Sequence, residues 1–393
     1  MGVKTMARPA PVAWLAGCLV ALAYGHATAE PTAGAAYVSN QNGDVDVIDL
    51  ATLTPTASVS AYGKEPRGIG VTADGKLLVV ANREGGRIAV IDRASGQLLR
   101  HVAVGENPEF VRVRGHLAFV TCEPSGSSGP PGAPGASASS VKTPELAPPV
   151  TAKAAGPAGS GAAKPPGAVS SGPGRDDDDA KEPAHIAVVD LDSGRLIRSI
   201  VGGLETEGIE FSRDGKRLLV TNEADNNVSV HDIATGKLVR KIDLKAWGTR
   251  PRGIKLAPDG RHYVVTLEFS NAFVVIDANY HVVRAVKTGE APYGVAFDRA
   301  GKRLFVAAAR SKTLEVFDAT TFTPTNKVVT GTRCWHFSFT PDDKMILVAC
   351  GRSNEIVVID AQTLEPIKRI TDSQLPWGIV TYPKAPGSVD QVE

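Results

Sequence analysis

A strand module of about forty residues recurs along this chain, and a period of that size restricts the fold to solenoids, propellers or arrays. One segment type reads apolar-apolar-apolar-Asp. It occurs at Val45 to Asp49, Ile88 to Asp92, Ile186 to Asp190, Val228 to Asp232, Phe273 to Asp277, Leu314 to Asp318 and Ile356 to Asp360. A second type precedes each copy: Ala36 to Asn40, Leu78 to Asn82, Leu117 to Thr121, Leu219 to Asn222, Tyr263 to Thr266, Phe305 to Ala308 and Leu347 to Ala349. A third opens with a Pro-x-Gly-like step at Pro66, Pro108, Thr206, Pro251, Pro292, Cys334 and Pro376. Its successive spacings are 42, 98, 45, 41, 42 and 42 residues, so one interval carries an insertion.

Each module thus reads as four strands, a to d. Turns such as Ala73-Asp74-Gly75-Lys76 and Pro258-Asp259-Gly260-Arg261 join a to b. The Gly in them accepts the positive φ that tight hairpins need. Seven such modules predict an all-β, seven-bladed β-propeller of four-stranded blades. A periodic β-solenoid is the competing fold. The first module starts at strand b, and the last consists of strand a alone, Pro376 to Thr381. Pairing the N-terminal strands with the C-terminal strand would close the ring and cover both free sheet edges.

Two stretches depart from the repeat. Lys4 and Arg8, the apolar run from Val12 to Leu22 and Ala27-Thr28-Ala29 predict a signal peptide over 1–29, hence a periplasmic or secreted protein starting at Glu30. Leu15-Ala16-Gly17-Cys18 offers a lipoprotein anchor at Cys18 as the alternative. The apolar run is too short for a transmembrane segment. Within the third copy, 123–184 interrupts the module. Its Gly, Pro, Ala and Ser from Ser125 to Gly174, closed by Asp176 to Asp179, predict an unstructured insertion. The propeller then comprises 30–122 and 185–393, expected to be monomeric.

The repeat units resemble the YVTN-type β-propeller repeat family. Tyr37-Val38-Ser39-Asn40, the seven Val-Ile-Asp-like strands and Pro-Arg-Gly-Ile at Pro66 and Pro251 carry the resemblance. It covers the chain outside 1–29 and 123–184 and implies an exported seven-bladed propeller. Arg333-Cys334-Trp335-His336 and Pro376-Trp377-Gly378-Ile379-Val380 are similar to a bacterial branch named for catabolism dependent on pyrroloquinoline quinone.

Residues common to every module serve the module, so function is sought where copies disagree. The strand-c aspartates precede turns and are expected to cap backbone N–H groups. Meander geometry puts the Pro-x-Gly steps and the strand-b ends on the opposite face. There the x position reads Arg67, Glu109, Glu207, Arg252, Tyr293, Trp335 and Trp377, with His336 following Trp335. Strand-b ends add Glu223, Glu268, Arg310 and Arg352. These twelve residues are predicted to ring a channel mouth that binds a small molecule or a protein partner. Two residues deeper, Arg112, Glu210 and Lys255 suggest a buried ion ladder.

Lys plus Arg total 43 against 42 Asp plus Glu, which argues against nucleic acid as a partner. Cys334 opens strand a and Cys350 follows strand b of one hairpin whose midpoint falls in Pro341-Asp342-Asp343, so a Cys334–Cys350 disulfide is expected. No zinc-type spacing points to a metal, although Cys334, Cys350 and His336 could supply soft ligands. No cofactor is required by the sequence, and its identity, if any, is unknown. The leading expectation is an exported, non-enzymatic binding scaffold. The alternatives are a propeller lactonase or hydrolase using Glu207, Glu223 and His336, and a propeller holding a redox cofactor such as haem non-covalently through His336. Export argues against a phosphorylated lactone as substrate.

Overall fold

Strand c of every module ends in an aspartate whose carboxylate accepts hydrogen bonds from backbone N–H groups of the following turn, as Asp92 does from Ser95 (2.8 Å) and Asp318 from Thr321 (2.7 Å). The same bond recurs at Asp49, Asp190, Asp232 and Asp360, while Asp277 accepts from Asn279 and His281 N–H in a turn one residue shorter. Seven aspartate caps shape seven c–d hairpins, and the architecture follows from their repetition. The computed structural model describes residues 1–2, 34–124 and 182–392. The expected signal segment, beyond its first two residues, and the expected insertion, between its ends, lie outside the described residues.

Among the described residues there are seven four-stranded sheets, with no α-helix. Six blades take their strands consecutively. The other, blade 1, pairs Pro376–Tyr382 with Ala35–Asn40, followed by Val45–Asp49 and Thr54–Val59, so the two ends of the chain close one sheet. In blade 3, Leu117–Cys122 pairs directly with His185–Asp190 across the insertion. Strands a and b of each sheet are largely apolar and buried on both faces, whereas the outermost strand d is largely exposed. On strand b of blade 2, Leu78 and Val80 pack into one inter-blade cluster, and Val79 and Ala81 into another. No helix among the described residues is long and apolar enough to cross a membrane.

The caps set an acid limit on the fold. Hydrogen bonds from the turn hold the carboxyls of Asp49, Asp92, Asp190, Asp232, Asp277, Asp318 and Asp360 below their usual value. A lowered folded pKa means that stability is fully present above the unfolded value, near 3.9, and is lost as pH falls through the folded one. The melting temperature is therefore expected to hold between pH 7 and about 5 and to fall steeply below about 4. A thermal scan with undiminished stability at pH 3 would contradict the shared role of these caps.

Candidate functional site

Strand a lies innermost, and its first half leaves the regular ladder. In blades 2 to 6 the pairing with strand b slips between the first and fourth residues, as between Pro251 and Ile254. This bulge frees the x residue and the one after it from the ladder. The third residue is glycine in five blades because the neighbouring strand a crosses there. A Cβ on Gly208 would meet the carbonyl oxygen of Arg252 at 2.5 Å, and one on Gly253 that of Tyr293 at 2.4 Å. A strand-b hydroxyl fills the gap. Thr266 Oγ1 accepts from Gly253 N–H (2.9 Å) and donates to the Tyr293 carbonyl (2.7 Å) of the next blade. Thr221 and Ser39 link blades 4 to 5 and 1 to 2 in the same way.

The x residues so presented form a packed cluster of charges. Arg252 is the hub. Its Nη1 faces Glu207 at 3.4 Å and bonds Glu223, while its Nε donates to Glu268 at 2.7 Å. Its guanidinium carbon lies 4.8 Å from the centre of the Tyr293 ring. The Tyr293 hydroxyl donates to Glu207 Oε1 at 2.5 Å. On the other side Arg67 bonds Glu109, which also holds Arg83 Nε at 3.0 Å. Arg250 reaches Glu223 (2.7 Å) and Glu205 (3.0 Å), and Arg333 reaches Glu268 (3.5 Å).

Burial and neighbours set the charges. Burial raises the Glu207 carboxyl, Arg252 pulls it back, Glu109 pushes it up again, and the net shift is upward. Burial alone would raise Glu268 too, but Arg252, Arg333 and Arg250 overrule it and hold it below its usual value. Burial keeps Tyr293 protonated, well above its ordinary range. Two carboxylates of opposite tendency therefore share one guanidinium, an arrangement that suits proton handling and a structural ion network alike.

Below these charges the channel is blocked by rings. The glycine position is occupied by Phe110 in blade 3 and His336 in blade 7, which meet across the axis with ring centres 5.9 Å apart. Trp377 (4.4 Å) and Tyr293 (5.4 Å) pack on His336. Burial, then Lys255, Arg252 and Arg112, lower His336 to about 3, so its imidazole is neutral. Beneath the rings lies a second polar layer: Arg112 bonds Glu210 at 3.2 Å, with Lys255 4.0 Å from the same carboxylate. The chain's last residues cross this end. Lys255 donates to the Asp390 carbonyl (2.8 Å), Lys384 pairs with Asp390 (3.1 Å), and Ser388 reaches His336 Nδ1 (3.0 Å).

Of the twelve expected mouth residues, the structure gathers Arg67, Glu109, Glu207, Arg252, Tyr293, Glu223 and Glu268 into the upper cluster, with His336 and Trp377 beneath it. They are buried against one another. Trp335 stands aside, against Gly351 and near Arg333. Arg310 and Arg352 are exposed. Arg250, Arg333 and Glu205 join the site without having been expected there. Each immediately precedes strand a, where every blade has a residue with positive φ: Glu65, Asn107, Glu205, Arg250, Ala291, Arg333 and Leu375. Charge at that recurring position was the available signal. Cys334 and Cys350 are joined by a disulfide, and Cys122 is buried. Among the described residues no three His, Cys, Asp or Glu side chains converge to hold a metal ion.

The family described as lactonase, seven-bladed β-propeller, matches residues 36–114, from blade 1 into the first strand of blade 3. No curated protein matches the chain. Among solved structures, a periplasmic gluconolactonase of Pseudomonas aeruginosa is similar at 16% identity and TM-score 0.62, covering 88% of this chain and 98% of that one. A Bacteroides uniformis protein with a provisional 6-phosphogluconolactonase assignment is similar at 14% identity and TM-score 0.63, covering 89% and 99%. Hydrazine synthase of Kuenenia stuttgartiensis aligns at 20% identity and TM-score 0.62, covering 85% and 94%. At these identities the structures establish the shared fold. The match of residues 36–114 to a lactonase family overturns the expectation of a non-enzymatic scaffold and favours the lactonase alternative.

Proposed function

We propose that this chain is a lactonase that opens a hydroxylated, sugar-type lactone at the strand-b mouth of the propeller, with Glu207 as its general base. The observation that carries the reading is Glu207 itself: a buried carboxylate of raised pKa, held at one oxygen by the Tyr293 hydroxyl at 2.5 Å and faced by Arg252 at 3.4 Å. A raised pKa makes the ionised form a stronger base at neutral pH than an ordinary carboxylate. Glu207 takes a proton from water as the water oxygen adds to the ring carbonyl. The negative charge that develops on the carbonyl oxygen lies in the field of Arg67 and Arg252. The C–O bond of the ring then breaks, and the leaving oxygen takes the proton back from Glu207. The product is one hydroxy acid, and Glu207 is again ionised. The names of the matched family and of the Pseudomonas aeruginosa neighbour support this substrate class.

The reading treats all seven modules as YVTN-type repeats and places the protein in an exported compartment. The signal pattern over 1–29 and the Cys334–Cys350 disulfide support that location. The test is acid release from a panel of δ- and γ-lactones, followed in a pH-stat. Glu207→Gln should lower kcat/KM by about 100-fold or more. Because the base must be ionised, activity should fall with pH through the raised value of Glu207, so the acidic limb should lie above the ordinary value of about 4.3. Equal rates for Glu207→Gln and the unaltered protein, or no hydrolysis of any lactone, would remove the proposal.

A further inference from the structure

His336 Nε2 is buried at the channel axis and has no hydrogen-bond partner among the described residues, although the residue is only 2% exposed. Its other nitrogen, Nδ1, lies 3.0 Å from Ser388 Oγ. Ser388 comes from the segment after the closing strand and enters from the opposite end of the ring. Its position is explained by the blade it serves. Strand b carries a bulge-filling hydroxyl in blades 1, 3, 4 and 5, at Ser39, Thr121, Thr221 and Thr266, whereas blade 7 has Ala349 there. Ser388 brings a hydroxyl from outside the repeat to the residue that follows His336 on strand a: its Oγ accepts from Phe337 N–H at 2.9 Å and lies 3.1 Å from the Phe337 carbonyl, whereas the strand-b hydroxyls accept from the third residue.

The Ser388 hydroxyl bears on where the imidazole proton sits. A serine hydroxyl has one hydrogen and two lone pairs. One lone pair takes Phe337 N–H; with the hydrogen on the Phe337 carbonyl, which also accepts from Ser388 N–H at 2.9 Å, the other lone pair faces Nδ1 and calls for an N–H there. The opposite tautomer would leave a buried N–H donor unsatisfied at Nε2.

We propose that Ser388 is a positioning residue: it fixes His336 as the Nδ1–H tautomer, so that the Nε2 lone pair accepts a hydrogen bond from a ring hydroxyl of the bound lactone. This rests on the lactonase reading for its ligand, but the tautomer does not. The rings of Phe110, Trp377 and Tyr293 pack around His336 and are buried with it, so the charged layer above them has to part for the ligand to reach Nε2. Ser388 would thereby give selectivity for a hydroxylated lactone over a bare one.

Two measurements separate the parts. In protein labelled with 15N at histidine and without substrate, His336 should show a protonated Nδ1 and an unprotonated Nε2. Ser388→Ala should lose that preference and Ser388→Thr should keep it. A protonated Nε2 in the unaltered protein overturns the proposal whatever the enzyme does. In kinetics, Ser388→Ala should raise KM for a polyhydroxylated δ-lactone about tenfold and leave unsubstituted δ-valerolactone within twofold, with Ser388→Thr restoring the first. Equal effects on both lactones would mean that Ser388 only holds the strand, and would overturn the proposal. If no variant and not the unaltered protein hydrolyses any lactone, the lactonase reading fails, and the substrate hydroxyl as ligand of Nε2 falls with it. The tautomer assignment is then judged by the spectra alone.

Discussion

A chain ending at Leu375 is expected not to fold. The deletion removes Pro376–Tyr382, the innermost strand of blade 1, and with it every backbone pairing on the inner edge of Ala35–Asn40. It also removes Trp377, Ile379, Val380, Ala385 and Val389, all at most 1% exposed. Burial of a large apolar side chain stabilises by roughly 1.5–3 kcal/mol, so this set is worth on the order of 10 kcal/mol. The whole stability of a domain is typically about 5–15 kcal/mol. Losing the Ser39 hydroxyl link to Gly378 and the Ser388 contacts adds to the deficit. The truncated chain should elute as aggregate and show no cooperative melt by circular dichroism. A soluble product melting within a few degrees of the full chain would mean that six complete blades are self-sufficient, and that closure by the two termini is not what holds the ring.

That closure was legible in the sequence because its signal is a mismatch: a first module without strand a and a last module with nothing else. The fold as a whole was legible for a similar reason. Seven Asp-terminated strands and seven Pro-x-Gly-like steps repeat at nearly one period outside the single insertion, and the structure turns each Asp-terminated strand into a capped hairpin. The x residues other than Trp335 come together in the structure, but as a packed, buried group and not as an open ring. Sequence position gave Arg67, Glu207 and Arg252 as a ring around an opening, but it carries no information about rotamers, and these long side chains turn inward onto each other's charges. The aromatic floor was partly visible, since Phe110 and His336 replace glycine at the third position of strand a. That substitution announces a filled axis only once the close approach of neighbouring strands at Gly208 and Gly253 is known. Ser388 was invisible, because no repeat covers the segment that bears it. The function was misjudged because repeat-wide residues were discounted and the remainder read as a docking surface. A buried carboxylate with a raised pKa is a property of packing, which the sequence alone does not display.

Replacing Arg252 by Met should be the most damaging single substitution in the site, and its pH dependence should identify why. Arg252 is 3% exposed and is the shared countercharge of Glu207, Glu223 and Glu268. Methionine keeps most of the volume and removes the charge, which leaves three buried carboxylates with less compensation. Breaking a buried ion pair from one side costs about 3–5 kcal/mol, because the remaining charge stays desolvated. For a domain of this size that corresponds to a fall in melting temperature on the order of 10 °C. Arg252→Lys, which retains a charge but not the planar fork, should fall between the two. The sign with pH distinguishes this cause from lost packing. Arg252 is the largest influence holding Glu268 below its usual value, and it also pulls Glu207 down. Without it both folded-state pKa values rise, so protonation of the folded protein becomes easier and relieves the buried charge. The stability gap between the unaltered protein and Arg252→Met should therefore be widest near pH 7 and narrow as pH falls toward 5, before the turn aspartates begin to titrate. A gap that stays constant across that range would assign the loss to packing against Tyr293 rather than to the carboxylates.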